Sequence, residues 1–113
     1  MLLSELRREA LDVIRNAPQC TLCTSGPAGV QASAETAILQ KDQTVLLRLP
    51  LTTEHVFNLE GNSEVVLMAE SWQLRGVGQV ISRNPETCVV EIVPRRVQLA
   101  PDGRHADRTT IDF

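Results

Sequence analysis

The first sixteen residues carry apolar side chains at helical spacing and charged side chains between them. The apolar positions, which recur every three or four residues, are Leu3, Leu6, Ala10, Val13 and Ile14. This pattern predicts an amphipathic helix over residues 3–16. Ser4 is expected to be its N-cap, and Pro18 is expected to end it because proline cannot continue a helix.

From Cys20 onward the pattern changes to short apolar or alternating runs separated by turn residues. The runs are CTLCTS, VQASAETAIL, TVLLRL, SEVVLMAE, LRGVGQVIS and TCVVEIVP, with RRVQLA as a further candidate. Two turn sequences, GPAG and QKDQ, separate the first three runs. Closely spaced strands of this kind are typical of a sandwich or barrel, here with six to seven strands.

One segment, LTTEHVFNLEGN, interrupts the strands and reads as a short helix. Thr52 or Thr53 is expected to be the N-cap and Gly61 to suit the C-terminal cap, with apolar faces from Val56, Phe57 and Leu59. The sequence therefore predicts a mainly β protein with an N-terminal helix and one short internal helix. A single domain is expected over residues 1–100, followed by a polar tail over residues 101–113.

Charge and composition exclude several classes of function. The chain has 113 residues and a formal net charge of −3, with no basic stripe and few aromatic residues. We therefore expect no nucleic-acid partner. No apolar run approaches the ~20 residues of a membrane helix, and the N-terminus does not resemble a secretory signal, so a cytoplasmic protein without membrane contact is expected.

Cys20 and Cys23 form a C-x-x-C pair, but its context argues against a metal or redox site. The pair lies in a predicted strand, where positions three apart point to opposite faces. No second such pair exists, and the two histidines stand at unrelated spacings. We interpret the cysteines, with Cys88, as reduced, small apolar strand residues.

The start of the short helix is a candidate anion site. Free backbone N–H groups and the hydroxyls of Thr52 and Thr53 can donate to a phosphate, and His55 in the first turn can add positive charge. Glu54 in the same turn would repel a phosphate. The alternative is an ordinary capped helix start.

The run Gln73-Leu74-Arg75-Gly76-Val77-Gly78 is a second candidate. Gln73 and Arg75 alternate onto one strand face, and the two glycines leave room for another backbone or a flat ligand to approach. The alternative is an exposed strand face beside a bulge.

Three stretches in order resemble the flavin-binding split barrels of the pyridoxamine 5'-phosphate oxidase superfamily. CTLCTSGPAGVQASAETAIL is similar to the family's T-x-G-x-D-G-x-P hairpin, and TTEHVFNLEGNSEVVLM to its [TS]-S-x-K-x-x-x-L-x-x-N-P-x-V-x-L run. QLRGVGQVI is similar to Q-V-R-I-E-G-x-V. The resemblance implies a split β-barrel and a homodimer with flavin mononucleotide (FMN) at the dimer interface. It places Thr53 and Thr52 at the FMN phosphate and Gln73 at the flavin.

The chain departs from the family at three cationic positions. His55 stands where the family has Lys, Glu54 where a basic residue is common, and Ala34 where the oxidases have Arg. Arg48 can compensate in part if it points to the site. The C-terminal substrate-binding segment of the oxidases has no counterpart here, so the vitamin oxidase reaction itself is not expected.

Three functions remain open from the sequence. One is an FMN-binding protein, acting as a small flavin-dependent oxidoreductase with no acid or base assignable. The second is a non-enzymatic split-barrel dimer that has lost flavin or binds another flat or anionic ligand, such as haem or a deazaflavin. The third is a purely structural or partner-binding dimer.

Overall fold

The computed structural model describes residues 2–100 and 109–113, and over these residues the chain forms two helices and eight strands. The elements in chain order are α1 (Leu3–Asn16), β1 (Gln19–Thr24), β2 (Gln31–Thr36), β3 (Ile38–Leu39), β4 (Val45–Pro50), α2 (Glu54–Gly61), β5 (Glu64–Met68), β6 (Trp72–Arg83), β7 (Thr87–Leu99) and β8 (Thr109–Asp112). No helix in this part of the chain is long and apolar enough to cross a membrane.

All strands belong to one antiparallel sheet with the order β2-β1-β5-β6-β7-β4-β3, and β8 pairs with β7. The sheet curls so that β2 lies beside β4, but in the described residues no ladder joins these strands. The sheet is therefore an open, split barrel. The prediction of a mainly β split barrel with two helices is confirmed, and the strand count rises from six or seven to eight.

The added strands are short. Strand β3 has two residues, and β8 lies within the segment that was predicted to be a polar tail. Here the structure differs from the prediction, because Ile111 is buried and pairs with Val97 on β7. Residues 101–108 of that predicted tail lie outside the described residues.

The core is aliphatic and comes from the alternating inward positions of the strands. Leu22, Leu47, Leu67, Leu74 and Ile92 are fully buried there. Complete burial of a leucine contributes about 1.5–3 kcal/mol, so this layer supplies much of the stability of the fold.

Helix α1 covers one side of the barrel with the buried face of Ala10, Leu11 and Ile14. Its bounds match the predicted helix, but Ser4 is not the N-cap. Leu2 holds that position, with extended backbone and no side-chain capping bond, and Ser4 lies inside the first turn. The Nε1–H of Trp72, the single tryptophan, donates to the Ala17 carbonyl at 2.8 Å and ties the end of α1 to β6.

Candidate functional site

Helix α2 begins at the predicted threonines, and Thr53 is the cap. Its Oγ1 accepts a hydrogen bond from the His55 backbone N–H at 3.4 Å, while Thr52 is exposed beside it. Glu54 is exposed in the first turn, where its negative charge stabilises the helix start. One of the free N–H groups that an anion would need is therefore already occupied.

The His55 ring points into the barrel and is 3 % exposed. Its Nδ1 lies 2.7 Å from Thr24 Oγ1 on β1, and its Nε2 lies 2.9 Å from Ser33 Oγ on β2. Ser33 Oγ in turn donates to Glu35 Oε2 at 2.6 Å. Both ring nitrogens are thus used within the protein.

The donor directions fix the tautomer of the imidazole. Because Ser33 gives its only hydroxyl proton to the Glu35 carboxylate, it accepts from His55, so Nε2 carries the proton. Nδ1 is then an acceptor, and Thr24 donates to it. Thr24, His55 and Ser33 therefore each donate to the next group along a chain of hydrogen bonds that ends at the Glu35 carboxylate.

Asn58 extends this arrangement, although the sequence analysis assigned no role to it. Its side chain is fully buried, and its Nδ2 donates to Thr24 Oγ1 at 3.1 Å and to the Gly29 carbonyl at 2.9 Å. Its Oδ1 accepts from the Ala28 N–H at 2.8 Å. We call the linked side chains of Asn58, Thr24, His55, Ser33 and Glu35 the Asn58–Glu35 network.

The turn between β1 and β2 packs tightly on α2, and this explains two glycines. A Cβ at Gly61 would lie 2.9 Å from the Pro27 ring, and one at Gly26 would lie 3.0 Å from the Asn58 carbonyl oxygen. Gly61 is the last helical residue rather than the cap, a position that Asn62 holds. A glycine is needed at position 61 because a side chain there would prevent close packing against Pro27. The backbone at this position is not left-handed.

Burial lowers the pKa of His55, and the nearby Glu35 carboxylate opposes that shift less strongly. The ring is therefore neutral at neutral pH. This corrects the expectation that His55 offers a positive charge to a phosphate: the cost of removing an imidazolium from water outweighs the attraction of one carboxylate.

The remaining predicted site residues separate into two places. Arg48 projects from β4 into a cleft of about 470 Å³ at the split of the barrel, which also contains Ala34 and Glu35. Gln73 and Arg75 lie on the outer face of β6, aligned with Met68 and Val66 of β5. His55, on the inner side, is not on this face.

The two glycines of β6 do not open a place for a flat ligand. A Cβ at Gly76 would lie 2.5 Å from the Val93 carbonyl oxygen, and one at Gly78 would lie 3.1 Å from Val65. The space is filled by the protein's own strands. Of the two predicted uses of these glycines, close approach of another backbone is the one observed, at Gly76, and the bulge beside Gly76 also matches the alternative.

All three cysteines lie on strands, as predicted. Cys20 is buried on β1 and Cys23 is half-buried on its other face, and Cys88 is buried on β7. Burial raises the pKa of the Cys20 thiol to about 11, helped by the charges of Glu35 and Cys23. Within residues 2–100 and 109–113, no cluster of three or more metal-ligating side chains occurs.

The residues at the start of α2 do not fit the phosphate of FMN. The imidazole is neutral and its nitrogens are occupied, and Glu35 and Glu54 place two carboxylates nearby. Binding of a phosphate dianion depends on charge-assisted hydrogen bonds, which need cations at the site. Arg48 is the one arginine in the cleft at the split, and Glu35 shares that cleft.

No protein-family model and no curated protein matches this sequence. Solved structures do match its fold. General stress protein 26 from Bacillus anthracis str. Sterne superposes with a TM-score of 0.75 at 10 % identity, covering 96 % of this chain and 98 % of that one. A Clostridium acetobutylicum protein related to general stress protein 26, of the pyridoxinephosphate oxidase family, gives 0.73 at 14 % identity, covering 96 % and 95 %.

This chain has the pyridoxamine 5'-phosphate oxidase-like split-barrel fold. A haem-binding protein from Mycobacterium smegmatis shares it, with a TM-score of 0.73 at 18 % identity over 94 % of this chain and 57 % of that one. Identities this low establish the fold of the split barrel and not its ligand. The chemistry of the site therefore depends on the side chains that this chain itself places there.

Proposed function

We propose that this protein is a non-enzymatic split-barrel homodimer that has lost the FMN phosphate site. The observation that carries the proposal is the buried, neutral His55, whose two nitrogens are committed to Thr24 and Ser33. The position that the family fills with a phosphate-binding lysine is here part of the interior of the protein.

Electrostatics supports the same conclusion. A phosphate at the α2 N-terminus would meet the negative charge of Glu54 in the first turn, and the Glu35 carboxylate lies beyond His55 and Ser33. Like charges at a partly hydrated site repel, by an amount that falls as their separation grows. One compensating cation, Arg48, offsets only part of that repulsion.

Exposed apolar side chains support the homodimer. Met68 and Val93 lie on the outer face of the sheet and are 44 % and 42 % exposed, and Ile81 follows on β6. Apolar side chains on the outer face of a sheet can be covered by the same face of a second copy. Association of two copies would remove these side chains from water.

The cleft at the split is the place where such a dimer would take a ligand. Arg48 and Glu35 share it without an ion pair between them in the described residues. A ligand there should present a hydrogen-bond donor or a cation to Glu35 rather than a phosphate. Haem is the second candidate ligand, favoured by the structural similarity to the haem-binding protein.

A titration that compares FMN with riboflavin tests the loss of the phosphate site. The two ligands share the ring and differ in the phosphate, so a functional phosphate site must favour FMN. We expect a colourless purified protein and an FMN affinity no higher than that of riboflavin, measured by quenching of flavin fluorescence. Co-purification of FMN, or binding of FMN more than about tenfold tighter than riboflavin, corresponding to ~1.4 kcal/mol, would refute the proposal.

Two further measurements complete the test. Light scattering should give twice the chain mass of 12.5 kDa at micromolar concentration, whereas a monomer would contradict the homodimer. Titration with haemin tests haem as the ligand. An unchanged haem absorption spectrum would exclude it. A saturable spectral change would select haem as the ligand of the cleft.

A further inference from the structure

Helix α2 is attached to the barrel in large part by polar side chains. Three of its side chains are buried, and two of these, His55 and Asn58, belong to the Asn58–Glu35 network. Val56 is the third, whereas Phe57 is 53 % exposed. A helix of eight residues is too short to be stable in water by itself. The attachment of α2 therefore depends on the state of the network.

The hydrogen bonds at the His55 ring accept no additional proton without a loss. Thr24 Oγ1 donates to His55 Nδ1 over 2.7 Å and accepts from Asn58 Nδ2 at 3.1 Å. A proton on Nδ1 would turn this acceptor into a donor, so the Thr24 hydroxyl proton would lose its partner. Thr24 is 3 % exposed, and water cannot replace that partner while the network is closed. A buried donor without an acceptor is costly, so charging the ring favours separation of the network.

The elements around the ring carry few charges, and one of them belongs to the network. These charged groups are Glu35 on β2, exposed Glu54 on α2, Arg48 on β4, and Glu60 with Arg83, which pair at 3.8 Å between the end of α2 and β6. Strand β1 contributes no charged side chain. Glu35 reaches the ring through Ser33 and favours a proton on it, but burial of the ring outweighs this effect and lowers the pKa of His55.

The turn between β1 and β2, residues 25–30, is attached to the same helix. Asn58 Oδ1 accepts from the Ala28 N–H at 2.8 Å, and Asn58 Nδ2 donates to the Gly29 carbonyl at 2.9 Å. The ladders that join β1 to β2 and to β5 use backbone groups and not the network. Helix α2 and this turn can therefore separate from the barrel together without breaking a strand pair.

We propose that α2 and the β1–β2 turn form an acid-sensitive latch, which opens when the Asn58–Glu35 network takes up a proton while the sheet stays folded. In the open state the imidazole is hydrated and regains its ordinary pKa of ~6.5. Opening therefore becomes up to about tenfold more favourable for each pH unit below ~6.5, until the closed ring is protonated too. This inference goes beyond the proposed function, because it concerns a movement and uses none of the outer-face side chains of the homodimer.

Amide hydrogen exchange of the whole protein, followed by NMR and corrected for the intrinsic effect of pH, tests the latch. The protection of the α2 amides and of the Ala28 N–H should fall about tenfold between about pH 7.5 and about pH 5.5, the effect of one linked proton. A protection factor that does not change with pH would overturn the proposal.

Urea separates opening of the latch from unfolding of the whole chain. Local opening exposes little surface, so up to about 1 M urea should hardly change the protection of α2, whereas the amides of the β5–β6 ladder should lose protection steadily. Equal protection and equal urea dependence of α2 and the ladder would show that α2 opens only with the whole protein, and the proposal would be wrong.

His55→Gln removes the titrating group and keeps the hydrogen bonds, because its amide offers an N–H to Ser33 and an oxygen to Thr24. The pH dependence of α2 protection should then shrink to less than about twofold. Glu54→Gln is the matched control, since it removes a titratable group from the adjacent residue, which lies outside the network. It should keep the tenfold dependence, and equal flattening by both variants would overturn the proposal.

The His55 ring signals provide a test that remains if His55→Gln does not fold. His105→Gln leaves His55 as the single histidine and so assigns its signals. The ring should become charged only together with the loss of α2 protection. A ring that becomes charged while α2 stays protected would contradict the latch. None of these outcomes depends on whether the protein binds FMN or haem.

Discussion

Asn58→Ala should destabilise the protein far more than its size suggests, because Asn58 joins α2 to both ends of the β1–β2 turn. The change removes three side-chain hydrogen bonds, to Thr24 Oγ1, the Gly29 carbonyl and the Ala28 N–H. Asn58 itself is fully buried, so a small cavity replaces its amide.

The magnitude follows from which partners can reach water. The Ala28 N–H is half-buried and loses its acceptor, at a cost of about 1–3 kcal/mol. Gly29 is exposed and can be hydrated, and Thr24 keeps its bond to His55. With the cavity included, we expect a loss of ~2–4 kcal/mol, a large share of the roughly 5–15 kcal/mol that stabilise a domain of this size.

Asn84→Ala provides a matched control. Asn84 also makes three side-chain hydrogen bonds, to Thr87 Oγ1 and to the N–H groups of Glu86 and Thr87, but all are exposed. Water can replace them, so the expected cost is below about 1.5 kcal/mol. Urea unfolding followed by circular dichroism measures both variants, and equal losses, or less than about 1 kcal/mol for Asn58→Ala, would refute the argument.

Three further predictions follow from buried groups. Burial lowers the pKa of His55, so below about pH 6.5 the unfolded chain binds more protons than the folded chain. The free energy of unfolding, measured by urea titration, should therefore fall as pH drops from about 7 to about 5. His55→Gln should make this dependence on pH weaker. Gly76→Ala should cost more than about 2 kcal/mol because its Cβ meets the Val93 carbonyl oxygen; a melting temperature within a few degrees of the natural protein would contradict this. Trp72→Phe loses the bond to the Ala17 carbonyl and should cost ~1–3 kcal/mol in thermal unfolding; an unchanged melting temperature would show that this bond does not hold α1.

The helices and longer strands were predictable because their signals are local. The apolar spacing of α1 and the proline that follows it define both ends, and the threonine cap marks the start of α2. Strand β8 was missed because its four residues are mostly polar and gain their order from pairing with β7, a contact that no local pattern encodes.

The direction of the His55 side chain could not be predicted from its neighbours in sequence. A histidine in the first turn of a helix faces either solvent or core, and only the packing of α2 against β1 decides which. One signal was present: His55 and Asn58 stand three apart on one helical face, and Ser33 and Glu35 stand two apart on one strand face. Two polar pairs on faces that meet in the fold indicate a hydrogen-bonded network between α2 and β2.

The Asn58–Glu35 network also explains why stability and phosphate binding oppose each other at α2. A phosphate at the helix start and the Glu35 carboxylate both need the hydroxyl and imidazole donors of this region. In this chain Ser33 already donates to Glu35, and His55 already donates to Ser33. A half-buried carboxylate of the protein itself therefore takes these donors in this chain. Glu35→Gln should therefore lower the free energy of unfolding and raise the affinity for FMN together. If Glu35 acts in stability alone, the affinity for FMN will be unchanged.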